Sequence, residues 1–521
     1  MRRLLLAAIC AIGCVHSQPP VPAPTPPAVV TGPRAIIEPA VPAGPRLRII
    51  ATNDFHGALE PRPDASGAMR GGGAAVAGAI KAAEVDCRLP ECATILLDAG
   101  DMFQGTPASN LAHGRPVIEV YNYLGYSAAA LGNHEFDWTQ DTLRLLMANA
   151  SYPMMGANIR TADGRDVPWI PKALIVNRGP IAVGVIGIST IETPATTLPD
   201  NVADLQFIDP VPVIDSIAPE LRARGAQVVI VIAHAGGNCS PIACQGEIID
   251  VVNRLSAKVD AIVSGHSHTR INSLVHGIPI VQARSRGQAI SVVDLLVGTP
   301  TRTVLHEVRE IYTDSITPSP DVMDIVRRAV TSVAPIATRP VTTIAEPMRI
   351  EGRQFALGNL IADAMRVVGR GDIGLMNTGG IRQSLPAGQA TYGTLFEIQP
   401  FANTLLQVRV RGADLRAFFQ RALINGSPNF HISGARIVYH TMPIPDLDSI
   451  SIGGRPLKDS AIYTIVQSDF TATGGDKLGF GDAALSMEPV GVNDLDALIA
   501  YLKSVSQPVK APTGQRLILR P

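Results

Sequence analysis

Charge of one sign is the first thing this chain lacks. Its 44 lysines and arginines balance 45 aspartates and glutamates, and no basic block breaks the balance. That argues against a nucleic-acid duplex as partner, because the phosphate backbone is gripped through clustered cations. Long apolar runs are lacking too. Residues 4–12, behind Arg2 and Arg3, are too few to cross a bilayer and read as a secretory leader. Cysteine is scarce, six in 521 residues, and no internal repeat shows. With 17% charged and 46% hydrophobic residues the body of the chain is a folded protein, not a disordered one. Its length exceeds what one core holds, so two large domains are expected.

The leader is read as residues 1–13. Ala11, Ile12, Gly13 and Cys14 resemble a bacterial lipobox, which makes Cys14 a candidate for lipidation and membrane anchoring; ordinary cleavage to a free periplasmic protein is the alternative. Residues 14–45 are dotted with proline and read as a stiff tether. The expected location is the periplasm, or the outer membrane or cell surface. Cys87 and Cys92 share their spacing with Cys239 and Cys244, and both pairs lie in loop-like sequence. In an oxidising compartment two local disulfides are the simplest account. Zinc is the rival, but the spacing is wider than in the usual finger.

From residue 47 onward short apolar runs alternate with amphipathic ones. Strands are expected at 47–52, 94–97, 128–131, 181–188, 228–233 and 261–263, with helices near 74–85, 117–124, 139–149, 211–224 and 245–256. Such alternation argues a layered α/β domain. Residues 278–281, 289–297 and 304–311 look like hairpin strands. An amphipathic helix at 321–333, bracketed by prolines, reads as a linker. A second α/β domain follows from about 338.

Polar groups gather just past the strand ends, where open α/β sheets bind ligands. They are Asp54, His56, Asp101, Asn133, His234, His266 and His268. All are oxygen or imidazole donors, suited to zinc, manganese, cobalt or iron. Seven ligands are too many for one ion and suit two that share Asp101. A paired site clamps both ends of a phosphoryl displacement and acidifies a water to serve as hydroxide. Within the run LGNHEFD at 131–137, His134 would face the departing oxygen and Asp137 would orient it.

Asp54-x-His56, Gly100 with Asp101, Gly132-Asn133-His134-Glu135, His234 and Gly265-His266-Ser267-His268 together resemble the calcineurin-like metallophosphoesterases. With the second domain, residues 46–515 resemble the secreted 5′-nucleotidase / UDP-sugar hydrolase family. The resemblance implies an α/β fold with a four-layer α/β/β/α metallophosphoesterase domain at 46–315, a linker helix at 316–337 and a C-terminal nucleotide-binding domain at 338–521. It implies one metal on Asp54, His56, Asp101 and His268, the other on Asp101, Asn133, His234 and His266, and a catalytic dyad of His134 and Asp137.

In that family two aromatic rings sandwich the base and arginines hold the phosphate. Phe401 and Phe470 match the rings, Asn377 and Arg382 match an Asn…Arg run, and Asp476 would meet the ribose or base. The family's further arginine before Gly358 and Asn359 is out of register here; Arg353 is the candidate and Arg349 the fallback. The expected activity is hydrolysis of nucleoside 5′-monophosphates, with di- and triphosphates or UDP-sugars as further substrates. A 2′,3′-cyclic nucleotide phosphodiesterase and a non-catalytic nucleotide-binding surface lipoprotein are the rival readings.

Overall fold

The computed structural model describes residues 44–64, 66–240, 242–423, 428–442 and 446–520. The expected leader, Cys14 and nearly all of the tether lie outside the described residues. No described helix is long and apolar enough to cross a membrane.

The first half is built on two six-stranded sheets. In the first, Arg46–Thr52, Cys92–Asp98, Ala128–Ala130 and Met154–Met155 run parallel, and Ala289–Leu296 and Arg302–Glu310 extend the other edge antiparallel. In the second, Ile181–Ser189, Val228–His234, Ala261–Ser264 and Ile278–Ala283 are parallel neighbours, flanked by antiparallel Ala173–Arg178 and Arg270–Val275. Strands such as Val228–His234 are buried at every residue, so both of their faces must be covered. The inner faces meet in one core that joins Ile49, Leu97 and Val293 of one sheet to Val185, Ile230 and Val263 of the other. Helices Gly73–Glu84, Arg115–Leu124, Gln140–Asn149 and Pro320–Ala337 cover the first sheet outside, and Pro210–Ala223 and Glu247–Arg254 the second. The result is four layers, α/β/β/α.

The three late strands all lie in antiparallel hairpins, as expected: Ala289–Leu296 pairs with Arg302–Glu310, and Ile278–Ala283, in the other sheet, pairs with Arg270–Val275. Ala289–Leu296 is fully buried, which an isolated two-stranded edge could not provide.

The helix Pro320–Ala337 leads into the second half. There a five-stranded mixed sheet, centred on Ile462–Ser468, packs helices Ala356–Val368 and Asp494–Ser504 on one face. Gly412–Leu423 and a four-stranded sheet cover its other face. Both cysteine pairs are bonded, Cys87 to Cys92 and Cys239 to Cys244.

Candidate metal centre and adjoining cleft

Because the central strands of each sheet are parallel, their carboxyl ends share an edge, and the loops leaving them converge. Asp54, His56, Asp101 and His268 bring ligand atoms within 4.8 Å of one another, and so do Asp101, His234 and His266; Asp101 belongs to both groups. Asn133 joins the second: its amide nitrogen donates to Thr196 O, turning its Oδ1 to 3.1 Å from His234 Nε2.

The backbone is bent to make this possible. Asp54, His56, Asp101, His266 and His268 all hold φ between 49° and 76°, the left-handed region that costs non-glycine residues energy. Gly132 is required by proximity: a Cβ there would lie 2.1 Å from Asp101 Oδ1.

Divalent ions fit this donor set. His56 Nδ1 donates to Gln104 O at 2.9 Å and His234 Nδ1 to Ala99 O at 2.8 Å, so in each ring the Nε2 lone pair faces the centre. There His56 Nε2 meets His268 Nε2 at 2.9 Å, His268 Nε2 meets Asp54 Oδ1 at 3.2 Å, and His234 Nε2 meets Asp101 Oδ2 at 3.1 Å. Lone pairs and carboxylate oxygens so gathered call for cations among them. Burial pushes His56 well below the usual imidazole range and lowers His268, leaving both in the neutral, ligating form. Burial opposes a charge on His234 as well, but the Asp101 carboxylate outweighs it and raises the ring to about 10. Outer contacts hold the carboxylates: Asn53 Nδ2 donates to Asp54 at 2.7 Å, and the His134 amide to Asp101 Oδ1 at 3.0 Å.

Beside this cluster His134 Nδ1 lies 2.8 Å from Asp137 Oδ2, and Thr197 Oγ1 donates to Asp137 Oδ1 at 2.8 Å. Nδ1 is therefore the donor, and Nε2 is left toward the centre, 4.0 Å from Asp101 Oδ2. Burial works against a charge on His134, but Asp137 and Asp101 prevail and raise its pKa.

The second half closes over the cluster. A cavity of about 310 Å³ is lined by Asp101, Asn133, His134 and Asp137 on one side and by Asn377, Arg382, Phe401, Phe470 and Asp476 on the other. That volume is within the range of small-molecule sites. Arg382 Nη2 donates to His56 Nε2 at 3.2 Å, and Asn377 Nδ2 to Asp476 Oδ2 at 2.7 Å. Phe401 stacks on His134, ring centroids 5.5 Å apart. Arg353 and Arg349 do not line the cavity. Arg353 is exposed and acts electrostatically on Tyr439; Arg349 pairs with Glu351 at the surface. The segment 349–353 stops short of the cleft, so among the described residues Arg382 is the one arginine in its lining.

Several contributors carry no signal in the sequence. Gln104 and Ala99 act through backbone carbonyls, and Thr197 sits in a bland TT pair. Glu135, inside the motif, accepts from the amides of Gly132, Asp101 and Met102, each at 2.8 Å, and ties two ligand loops together. Its acidic type beside two ligands was the available hint.

Comparison with known proteins agrees with this geometry. The calcineurin-like phosphoesterase family model matches residues 47–270, and the 5'-nucleotidase, C-terminal domain model matches 335–482. Endonuclease YhcR of Bacillus subtilis is 31% identical over 89% of this chain, which spans 40% of that protein's length. A 5'-nucleotidase of Vibrio parahaemolyticus is 25% identical, with 90% of this chain and 92% of that one covered. Among solved structures, a 5'-nucleotidase precursor from Thermus thermophilus superposes with a TM-score of 0.79 at 26% identity, over 91% of this chain and 99% of that one.

Proposed function

The chain belongs to the 5′-nucleotidase family of hydrolases, a calcineurin-like phosphoesterase domain followed by a 5′-nucleotidase C-terminal domain, and from that premise we propose that it cleaves nucleoside 5′-monophosphates to nucleoside and phosphate. Nucleoside di- and triphosphates and UDP-sugars are further substrates of the same cleft. The observation that carries the reading is a single cavity whose lining holds metal-ligand candidates, a His–Asp pair, an arginine and two phenylalanines.

In this reading two divalent ions are held, one by Asp54, His56, Asp101 and His268, the other by Asp101, Asn133, His234 and His266. Bound there, they supply Lewis acidity and a water made acidic near neutral pH. Arg382 takes a phosphoryl oxygen through its guanidinium fork. Phe470 and Phe401 present ring faces to the base, a mode that tolerates several bases. Asp476, held by Asn377, receives ribose hydroxyls. His134, whose charged form Asp137 favours, gives its Nε2 proton to the departing 5′ oxygen or stabilises the charge that develops there. Two local disulfides suit an exported protein, free in the periplasm or held at a membrane through Cys14.

Phosphate release is measured from AMP, ADP, UDP-glucose and 2′,3′-cyclic AMP with manganese, zinc or cobalt added. Release from AMP that outpaces release from the cyclic ester supports the proposal. The reverse order points to the cyclic phosphodiesterase, and no turnover with any metal points to a binding protein.

A further inference from the structure

A second, smaller cavity of about 70 Å³ lies on the far side of His56, and it is built from both halves of the chain. Arg62, Arg70 and Arg286 line it, with the carboxylates of Glu60 and Glu397 and with His56 itself. Two of the arginines have their charge met. Arg62 grips Glu397, with Nε to Oε2 at 3.0 Å, and leans on Glu60 at 3.4 Å. Arg70 pairs with Glu310 and donates to Ile311 O and Gln288 O.

Arg286 differs. Among the described residues it forms no ion pair with a carboxylate, and its Nη2 donates at 2.6 Å to a backbone carbonyl. That carbonyl belongs to Arg382, whose own side chain is bonded to His56 and Gly379 O and, among the described residues, also lacks a carboxylate partner. Two half-buried guanidiniums thus sit together next to a polar cavity. The carboxylate that supports Arg286 at longer range is Glu397, which Arg62 already holds. A cation that has no ion-pair partner of its own and adjoins a second cation is left incompletely neutralised. The cavity holds several waters by volume, enough room for one tetrahedral oxyanion.

We infer that this cavity is an anion subsite, in which Arg286 binds inorganic phosphate behind the metal-ligand cluster. The choice of phosphate rests on the proposed function, since a phosphohydrolase releases it next to His56. Arg286 there receives the departing product, beyond the face that Arg382 presents to the substrate.

The test is calorimetric titration of inorganic phosphate into the full-length protein, with and without chelator. Phosphate held by metal ions is lost to the chelator; phosphate held by Arg286 is not. The parent is expected to keep one chelator-resistant site. Arg286→Leu should weaken it by about tenfold or more, the value of a charge-assisted hydrogen bond, and Arg286→Lys by less. Melting curves without phosphate report whether each variant folds. A parent with no chelator-resistant binding overturns the inference without recourse to any variant, and so does a folded Arg286→Leu that binds as the parent does. Turnover of AMP is scored separately, so a protein that binds phosphate here but fails to hydrolyse AMP condemns the proposed function and leaves the subsite standing.

Discussion

Asp101 is the most demanding residue in the site, because it alone belongs to both groups of ligands. Its Oδ2 lies 3.1 Å from His234 Nε2 and 3.8 Å from His56 Nε2, one imidazole from each group. Asp101→Asn keeps the shape and an oxygen to accept the His134 amide, but removes the charge from both positions at once. Asp54→Asn does so at one position only. Losing even an outer partner of a metal ligand costs about 10–100-fold in affinity, so a lost ligand costs more, and for Asp101 the loss falls twice. If two ions share it, metal analysis of the dialysed parent should return about two equivalents per chain. Asp54→Asn should retain about one, and Asp101→Asn close to none, with turnover falling in the same order. Melting curves establish that each variant is folded. An Asp101→Asn protein that holds as much metal as Asp54→Asn would refute the sharing, and with it the two-ion site.

Three further outcomes follow from other parts of the structure. His134→Ala should lower kcat for AMP by about 10²–10⁴-fold with metal content unchanged; a variant as fast as the parent removes His134 from the chemistry. Phe470→Ala should cost roughly 1–3 kcal/mol of base stacking, read as a raised KM for AMP and an unaltered KM for a phosphate ester that has no base; equal effects on both esters would place the ring in the core instead. Asp494, buried in the second half, is pushed up to about 8 by burial, from 3.8 in the unfolded chain. The folded protein then holds the proton more tightly, so this contribution to stability is full below about pH 4 and is lost as pH rises through about 8. Asp494→Asn should lose less stability than the parent between pH 5 and 8 in urea melts, and parallel pH profiles would contradict the assignment.

What could be read from the sequence depended on where the chemistry is carried. Each candidate ligand stands within a few residues of an apolar run that ends in a loop, so a parallel-sheet argument was enough to collect Asp54, Asp101, Asn133, His234, His266 and His268 at one edge. The helices were legible from periodicity: Asp321–Val333 was marked out by its prolines, and the helix runs Pro320–Ala337. Strand partners were not. Ala289–Leu296 and Ile278–Ala283 are equally apolar, and only long-range packing sends them to different sheets. Backbone contributions were invisible as well, since Gln104 and Ala99 tune the histidines through carbonyls that any residue possesses. The left-handed turns at five ligands left no glycine signature, because the side chains are needed there. The arginine question failed for a related reason. A register argument pointed to Arg353 and Arg349, but whether a side chain reaches a cleft depends on where its loop turns. The cation that adjoins Arg382 came from the other half of the chain.

The arrangement also explains why one domain would not suffice. Asp54, Asp101 and Asp137 crowd the catalytic half, and a phosphate ester adds further negative charge to the same few ångströms. Like charges brought so close raise the cost of binding steeply in a desolvated site. Cations must offset it, and the catalytic half has imidazoles committed to the centre: His56 and His234 are turned toward it by the carbonyls of Gln104 and Ala99, and burial keeps His56 and His268 neutral. Arg382 comes from the other half. Burial disfavours its charge, yet Asp101, Asp54, Asp137 and Asp476 support it from both sides of the cleft. Its guanidinium reaches His56 at 3.2 Å, while Phe401, four residues beyond Glu397 on the same domain, lies against His134. In the proposed function this one domain would supply both the rings for the base and the Arg382 cation for the phosphate. On the proposed reading, a molecule that lacks either a base or a phosphate would gain only part of that domain's contacts, and this coupling would favour nucleotides over simple phosphate esters.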